Sequence, residues 1–473
     1  MNPSPNTTEQ GDPRSFPRTV KLLLGALLVA ALFLLFTPRK EGLEKSPAVL
    51  DSNMEKGTKW SAASLLKPKM HGRTANAKTS RSAEEIISEK LTAFAQNRKQ
   101  LMLKLAKASN ITVKDDVMHF FEVLESGDRA EADKLFDALQ KQHNKNPGEI
   151  GLAWRPIQEA GGVNWELMNW PAQKVLDYGD QIFGSLKPGM VYIGGTDPGA
   201  FLTSFLNETG DGEHHIIMTQ NALADSTYLD YLRTVYGEQM QTITGEESQK
   251  AFQTYIEDLG QRIDHDEKFP NEPKRVLSSE KYTRENGKLQ VSGVTAVMSI
   301  NEKLIQTLLD KNPGMSFGIE ESFPFKSTYS DAAILGPIMQ LRAGPEDQIL
   351  TPAKAADSVS FWRNQTDLLL ADNEAATSPY VMKTYSKTAT SQANLLLARG
   401  FTAESEQTYN LALKLYPGNI ETVNGLLDVY SRSGRANEAS QLLNDFVQKF
   451  PEQKGMAQDF YQSRFGTGAA GGK

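Results

Sequence analysis

A 34-residue self-similarity near the C-terminus constrains the fold more than any other feature of the chain. Gly400 and Gly434 stand one period apart, as do Pro417 and Pro451. Between and before them Ala393, Leu396, Tyr409 and Ala412 fall in register with Leu427, Tyr430, Leu443 and Phe446, and Ser405 with Ala439. These are the small or apolar positions at which two helices of a hairpin must meet. The pattern predicts two tetratricopeptide-type repeats, 386–419 and 420–453, within a helical domain over 343–465, with a last helix from about Met456 to Phe465 as a cap. One hairpin cannot cover its own apolar face, so two repeats are expected to lean on another part of the chain. The Gly-rich residues 466–473 read as a flexible tail.

With 473 residues, 39% of them hydrophobic, the chain is long enough for several domains with their own cores. It has no cysteine, which excludes disulfides, thiolate metal sites and a cysteine nucleophile. Its 51 basic and 58 acidic residues leave a net charge of -7, with no concentrated basic footprint for a phosphate backbone, so no nucleic-acid partner is expected.

Behind an N-terminal tail, 1–18, Arg18 and Lys21 flank an apolar run from Leu22 to Phe36 that ends at Thr37, Pro38, Arg39 and Lys40. This predicts one transmembrane signal anchor over 19–38, with a cleaved signal peptide as the rival reading. The expected location is a single-pass inner (plasma) membrane protein with its bulk extracytoplasmic or periplasmic. Residues 39–81 are poor in large apolar side chains and read as a disordered tether. Ser82 and Glu85 then form a capping-box pattern and open a helical region over 82–146.

Residues 154–342 alternate short β-prone runs with helical patterns, which predicts an α/β domain, Rossmann-like, with a mostly parallel sheet. The expected strands are Met190–Gly195, His215–Gln220, Gln290–Val297, Met315–Glu320 and Pro337–Leu341, with a helix over Asn301–Leu309. Gly194-Gly195-Thr196-Asp197-Pro198-Gly199 follows the first of them directly. Glycines there admit close approach of a ligand, and the N–H groups of a following helix suit a phosphate or carboxylate. The alternative is a tight turn with a helix cap. The glycine spacing fits neither a P-loop nor a dinucleotide fingerprint.

Two further strand ends, around Asn221 and Asp225 and around Glu320 and Glu321, would border the same crevice. The candidate ligand-binding residues are therefore Gly195, Thr196, Asp197, Gly199, Asn221, Asp225, Glu320 and Glu321. No cofactor is required, although the carboxylates could converge on a hydrated Mg²⁺. His214 and His215 lack the spacing of a metal site, and no GxSxG elbow exists in the chain.

The motifs GGTDPG at 194–199, TQNALAD at 219–225, TYLDYLR at 227–233, NPG at 312–314 and EESF at 320–323 resemble those of a family of bacterial membrane-associated proteins with C-terminal tetratricopeptide repeats. More distantly the chain is similar to the extracytoplasmic domain of protein O-mannosyltransferase-like membrane enzymes. Those carry many membrane helices, so the resemblance imports no glycosyl transfer. Two functional readings stay open. One is a membrane-anchored interaction or assembly protein that takes a protein or peptide through its repeats, the α/β crevice binding a small polar or phosphorylated ligand. The other is an enzyme, a transferase or hydrolase of cell-envelope glycan or phosphosugar metabolism, with its site at the strand carboxyl ends.

Overall fold

The computed structural model describes residues 81–466, apart from 273, 278, 286 and 287. Helix α1 (Ala83–Ala108) begins at the Ser82 capping box, in which Ser82 N donates to Glu85 Oε2 at 2.7 Å and Glu85 N to Ser82 Oγ at 3.2 Å. Its buried stripe is Ile87, Leu91, Phe94, Ala95, Met102 and Leu105, a helical spacing with Arg98 in its middle. Burying a guanidinium demands partners. Arg98 pairs with Glu159 at 2.8 Å and with Glu208. Helices α2 (Asp115–Ser126) and α3 (Arg129–Lys145) turn about Gly127, whose φ of 86° lies in the left-handed region that favours glycine.

Helices α4 (Trp154–Asn169) and α5 (Ala172–Phe183) lead into the sheet. Strand β1 (Val191–Gly194) is followed by α6 (Asp197–Thr209), β2 (Ile217–Thr219), α7 (Ser226–Tyr236) and α8 (Gly245–Lys268). A hairpin of β3 (Lys281–Glu285) and β4 (Lys288–Ser292) forms a sheet of its own. Then come α9 (Val294–Lys311), β5 (Phe317–Ile319), β6 (Ala333–Leu335) and β7 (Ile338–Leu341). The remaining helices are α10 (Pro345–Gln348), α11 (Pro352–Ala371), α12 (Asn373–Ala376), α13 (Pro379–Ala398), α14 (Thr402–Leu415), α15 (Ile420–Arg432), α16 (Ala436–Lys449) and α17 (Lys454–Phe465).

This architecture corrects the expectation of a Rossmann-like, mostly parallel sheet. The described chain is 70% helical, and its five-stranded sheet is small and mixed, in the order β2-β1-β5-β7-β6. Strand β1 runs parallel to β2 and β5, but β7 is antiparallel to both β5 and β6. The reason is local. Only Gly336 and Pro337 separate β6 from β7, and a two-residue turn can join strands only antiparallel, whereas a parallel pair needs a long crossover. The expected strand at Gln290–Val297 is also displaced: β4 ends at Ser292 in the separate hairpin, and α9 begins at Val294.

The expected single-pass membrane placement is corrected as well. No helix among the described residues is long and apolar enough to cross a membrane, and the segment 19–38, on which that expectation rested, lies outside the described residues.

Each helix from α13 to α17 packs on the next, and Gly400 and Gly434 adopt φ of 85° and 69° at the two equivalent turns. Helix α13 is buried on most of its circumference because it packs against the sheet. Its Gln392 Nε2 donates to the Ile338 carbonyl at 3.1 Å, and Gln392 Oε1 accepts from Ser358 Oγ at 2.8 Å and from Trp362 Nε1 at 3.1 Å on α11. One apolar core therefore runs continuously from α1 to α14, and the last helices close smaller clusters around Leu427 and Leu426.

Candidate functional site

The loop after β1 is built by close approach. A Cβ at Gly194 would sit 2.0 Å from the Gly199 carbonyl oxygen, one at Gly195 1.9 Å from the Glu320 carbonyl oxygen, and one at Gly199 1.6 Å from Glu320 Oε2. The first two would run into backbone, beyond what packing can absorb, and the third would displace the Glu320 carboxylate. Thr196 caps α6, its Oγ1 accepting from Gly199 N at 3.0 Å, and Pro198 occupies the first turn, where a missing N–H costs nothing.

The donors that would suit an incoming anion already hold one, the side chain of Glu320. Its Oε2 accepts from Thr196 Oγ1 at 2.8 Å, Thr196 N at 3.1 Å and Gly195 N at 3.4 Å. Its Oε1 accepts from Tyr178 Oη of α5 at 2.8 Å and Thr388 Oγ1 of α13 at 3.3 Å. Glu320 is 1% exposed, so this carboxylate exchanges water for five protein donors. It ties β5, the β1–α6 loop, α5 and α13 into one unit. Burial, then the charge of Glu320, pushes the Tyr178 phenol well above its ordinary range.

Other expected site residues divide. Asn221 joins this group: its Nδ2 donates to the Gly195 carbonyl at 2.8 Å and its Oδ1 accepts from Ser322 Oγ at 3.2 Å. Asp225 does not. It caps α7, accepting from Thr227 N at 2.8 Å, and pairs with Arg155 of α4. Glu321 points away from Glu320, its Oε1 accepting from Phe325 N at 2.6 Å and its Oε2 from Tyr329 Oη at 2.8 Å, and burial raises its carboxyl to about 8. Asp197 is half-buried at the mouth of the loop. Burial, opposed by the charge of Lys387 and reinforced by that of Glu320, raises it to about 7. Among the described residues no group of three or more His, Asp or Glu stands where it could hold a metal ion, so the convergence that the carboxylates could have made on Mg²⁺ is not formed there.

Three neighbours came from outside the strand-loop pattern. Glu166 on α4 is 1% exposed, neither of its carboxylate oxygens has a hydrogen-bond partner among the described residues, and burial followed by the charges of Asp197 and Glu320 pushes it well above the carboxylate range. Lys383 and Lys387 lie one turn apart on α13. Burial, helped by Lys387 and opposed by Glu421, lowers the Lys383 amine to about 7. Beside them a shallow cleft opens between the strand-end loop and the C-terminal helices, lined by Ser322, Phe323, Pro324, Lys387, Thr390 and Asn394 among others. No sequence signal links these helices to the loop, since none of them lies in the strand–loop–helix pattern.

The fold and site define a mostly helical protein with a small mixed sheet, whose strand-end loop is closed by an internal carboxylate and roofed by C-terminal helices. Comparison with protein-family models, with curated proteins and with solved structures finds no match.

Proposed function

We propose that the protein is an interaction and assembly module that takes a polypeptide segment in the cleft between its strand ends and its C-terminal helical hairpins. The observation that carries this reading is the occupancy of the loop. Glu320 uses the donors a phosphorylated ligand would need, whereas the adjoining cleft offers an apolar wall, Phe323 and Pro324, beside a cation, hydroxyls and an amide, Lys387, Thr390 and Asn394. Such mixed linings suit a peptide, which presents both apolar side chains and backbone amides.

Selecting random displayed peptides on the intact chain tests this. Peptides sharing a motif, with binding weakened at least about tenfold by Lys387→Glu while the far-ultraviolet dichroism is unchanged, are the expected result. Peptides that bind parent and variant alike, or none at all, would reject it.

One observation favours a second reading, an enzyme acting on a glycosyl or phosphorylated substrate. Burial raises Asp197 to about 7 within reach of the charge of Lys387, and its own charge helps to raise the neighbouring Glu166; carboxyls poised this way are suited to proton transfer. Turnover of a glycoside or phosphoester panel, abolished by Asp197→Asn, would favour this reading over the first.

A further inference from the structure

The hairpin of β3 and β4 leaves one edge of β3 open among the described residues. It forms a sheet of its own, in which Lys281 faces Ser292, Thr283 faces Gln290 and Glu285 faces Lys288. Strand β4 lies against α8 and α9, whereas Lys281, Tyr282, Thr283 and Arg284 of β3 are all exposed. Two residues separate Glu285 from Lys288, so this pair closes the hairpin by exchanging its N–H···O bonds. Bonded and non-bonded pairs alternate along an antiparallel ladder, so Thr283 and Lys281 bond to β4 as well. The N–H and C=O groups of Tyr282 and Arg284 point the other way, and outside the hairpin none of them has a hydrogen-bond partner among the described residues.

Two strands alone make a marginal sheet, and an open edge is a template for another strand. The sequence of β3, Lys-Tyr-Thr-Arg-Glu, is complementary to itself read backwards. In an antiparallel pair centred on Thr283, Lys281 stands opposite Glu285 of a second copy, Tyr282 opposite Arg284, and Thr283 opposite its own equivalent. Opposite charges, a cation on a ring face and paired threonines are all favourable across strands. Arg284 pairs with Asp264 of its own chain at 2.6 Å and needs no second carboxylate here, because a ring lies opposite it. The same register brings every outward N–H of Tyr282 and Arg284 to an outward C=O of the second copy. Sliding the strands one way sets Arg284 on Arg284. Sliding them the other way sets Arg284 opposite Glu280, whose N–H already goes to the Leu277 carbonyl at 3.0 Å. Charges on an edge usually keep other strands off, whereas these select one partner and one register.

We infer that the protein associates with a second copy of itself by pairing β3 with β3 about a two-fold axis at Thr283, which joins the two hairpins into one four-stranded antiparallel sheet. Such a pairing uses the same patch on both chains and therefore closes at two. It uses no residue of the cleft at Lys387 and holds whether or not that cleft takes a peptide.

Because the chain has no cysteine, single introduced ones read the register without background. Opposed residues of a non-bonded pair have Cα atoms about 4.5 Å apart, within the span of a disulfide. Under mild oxidation of the full-length protein, Thr283→Cys is expected to form disulfide-linked dimers at least about tenfold faster than Lys281→Cys or Lys288→Cys, which are exposed on the same hairpin. Chains with Lys281→Cys should link to chains with Glu285→Cys faster than either links to itself. In the Thr283→Cys background, Arg284→Pro removes an outward N–H and should abolish the advantage. Lys281→Glu should slow the reaction about threefold, and adding Glu285→Lys should restore it, each variant first shown to keep the parental thermal midpoint. Equal rates at 281, 283 and 288, a maximum at a position other than 283, or indifference to both Arg284→Pro and the charge reversal would overturn the inference.

Discussion

Glu320 and Glu166 are equally buried, each 1% exposed, and close enough for the charge of one to bear on the other, yet the protein treats them in opposite ways. Glu320 meets five donors from three elements, two of them backbone N–H groups just before α6. Glu166 meets none among the described residues and faces Asp197 and Glu320, two groups of its own charge type. Burial alone therefore does not decide what a carboxyl does. The donors do, because they replace the water that the charged form loses. The first carboxylate is a structural keystone, and the second is held toward its neutral form.

The largest expected effect comes from Glu320→Ala. It strands several buried donors at once, and the unfolding free energy should fall by about 4 kcal/mol, read by denaturant titration with dichroism. A loss under about 1 kcal/mol would mean that water satisfies those donors and that the loop is open to ligands after all. Tyr178→Phe removes one charge-assisted bond without changing the ring, and a loss of about 1.5–3 kcal/mol is expected in the same titration. Equality with Glu320→Ala would assign the whole effect to that single contact.

The smallest effect at acid pH, and the most diagnostic, belongs to Glu166→Gln. A carboxyl raised on folding keeps its proton in the folded state while the unfolded chain releases it, so its contribution is fully present below the unfolded pKa of about 4.5 and is lost as pH rises toward the folded value. The parent should therefore lose stability from about pH 5 upward relative to Glu166→Gln, with the two nearly equal at pH 4. Parallel stability–pH curves would show that Glu166 is not held neutral. Glu321 and Glu159, each raised to about 8, contribute in the same direction, so the comparison has to be made between variant and parent, not on the parent alone.

Much of the local framework was legible in residues that act over a few positions. The capping box at Ser82, the left-handed turns at Gly127, Gly400 and Gly434, and the strand–loop–helix at 191–209 all follow from short-range sterics and backbone hydrogen bonding. The loop residues Gly195, Thr196 and Gly199 were singled out for a sound reason, close approach and free N–H groups. The group that approaches in the structure is Glu320, about 125 residues further on, and Thr196 caps the helix as the alternative reading had it. The expected parallel order failed at Gly336-Pro337, a turn too short for any crossover.

By itself the sequence determined the helix start at Ser82, the turns at Gly400 and Gly434 and the glycine-lined loop, since each depends on neighbours within about one turn of helix or strand. Only the tertiary structure decided the mixed strand order, the seating of α13 on the sheet and the identity of the carboxylate in the loop. Those depend on groups such as Tyr178, Glu320 and Thr388, which are distant along the chain and meet only when the elements pack, and a buried charge is stable only where all of its donors arrive together.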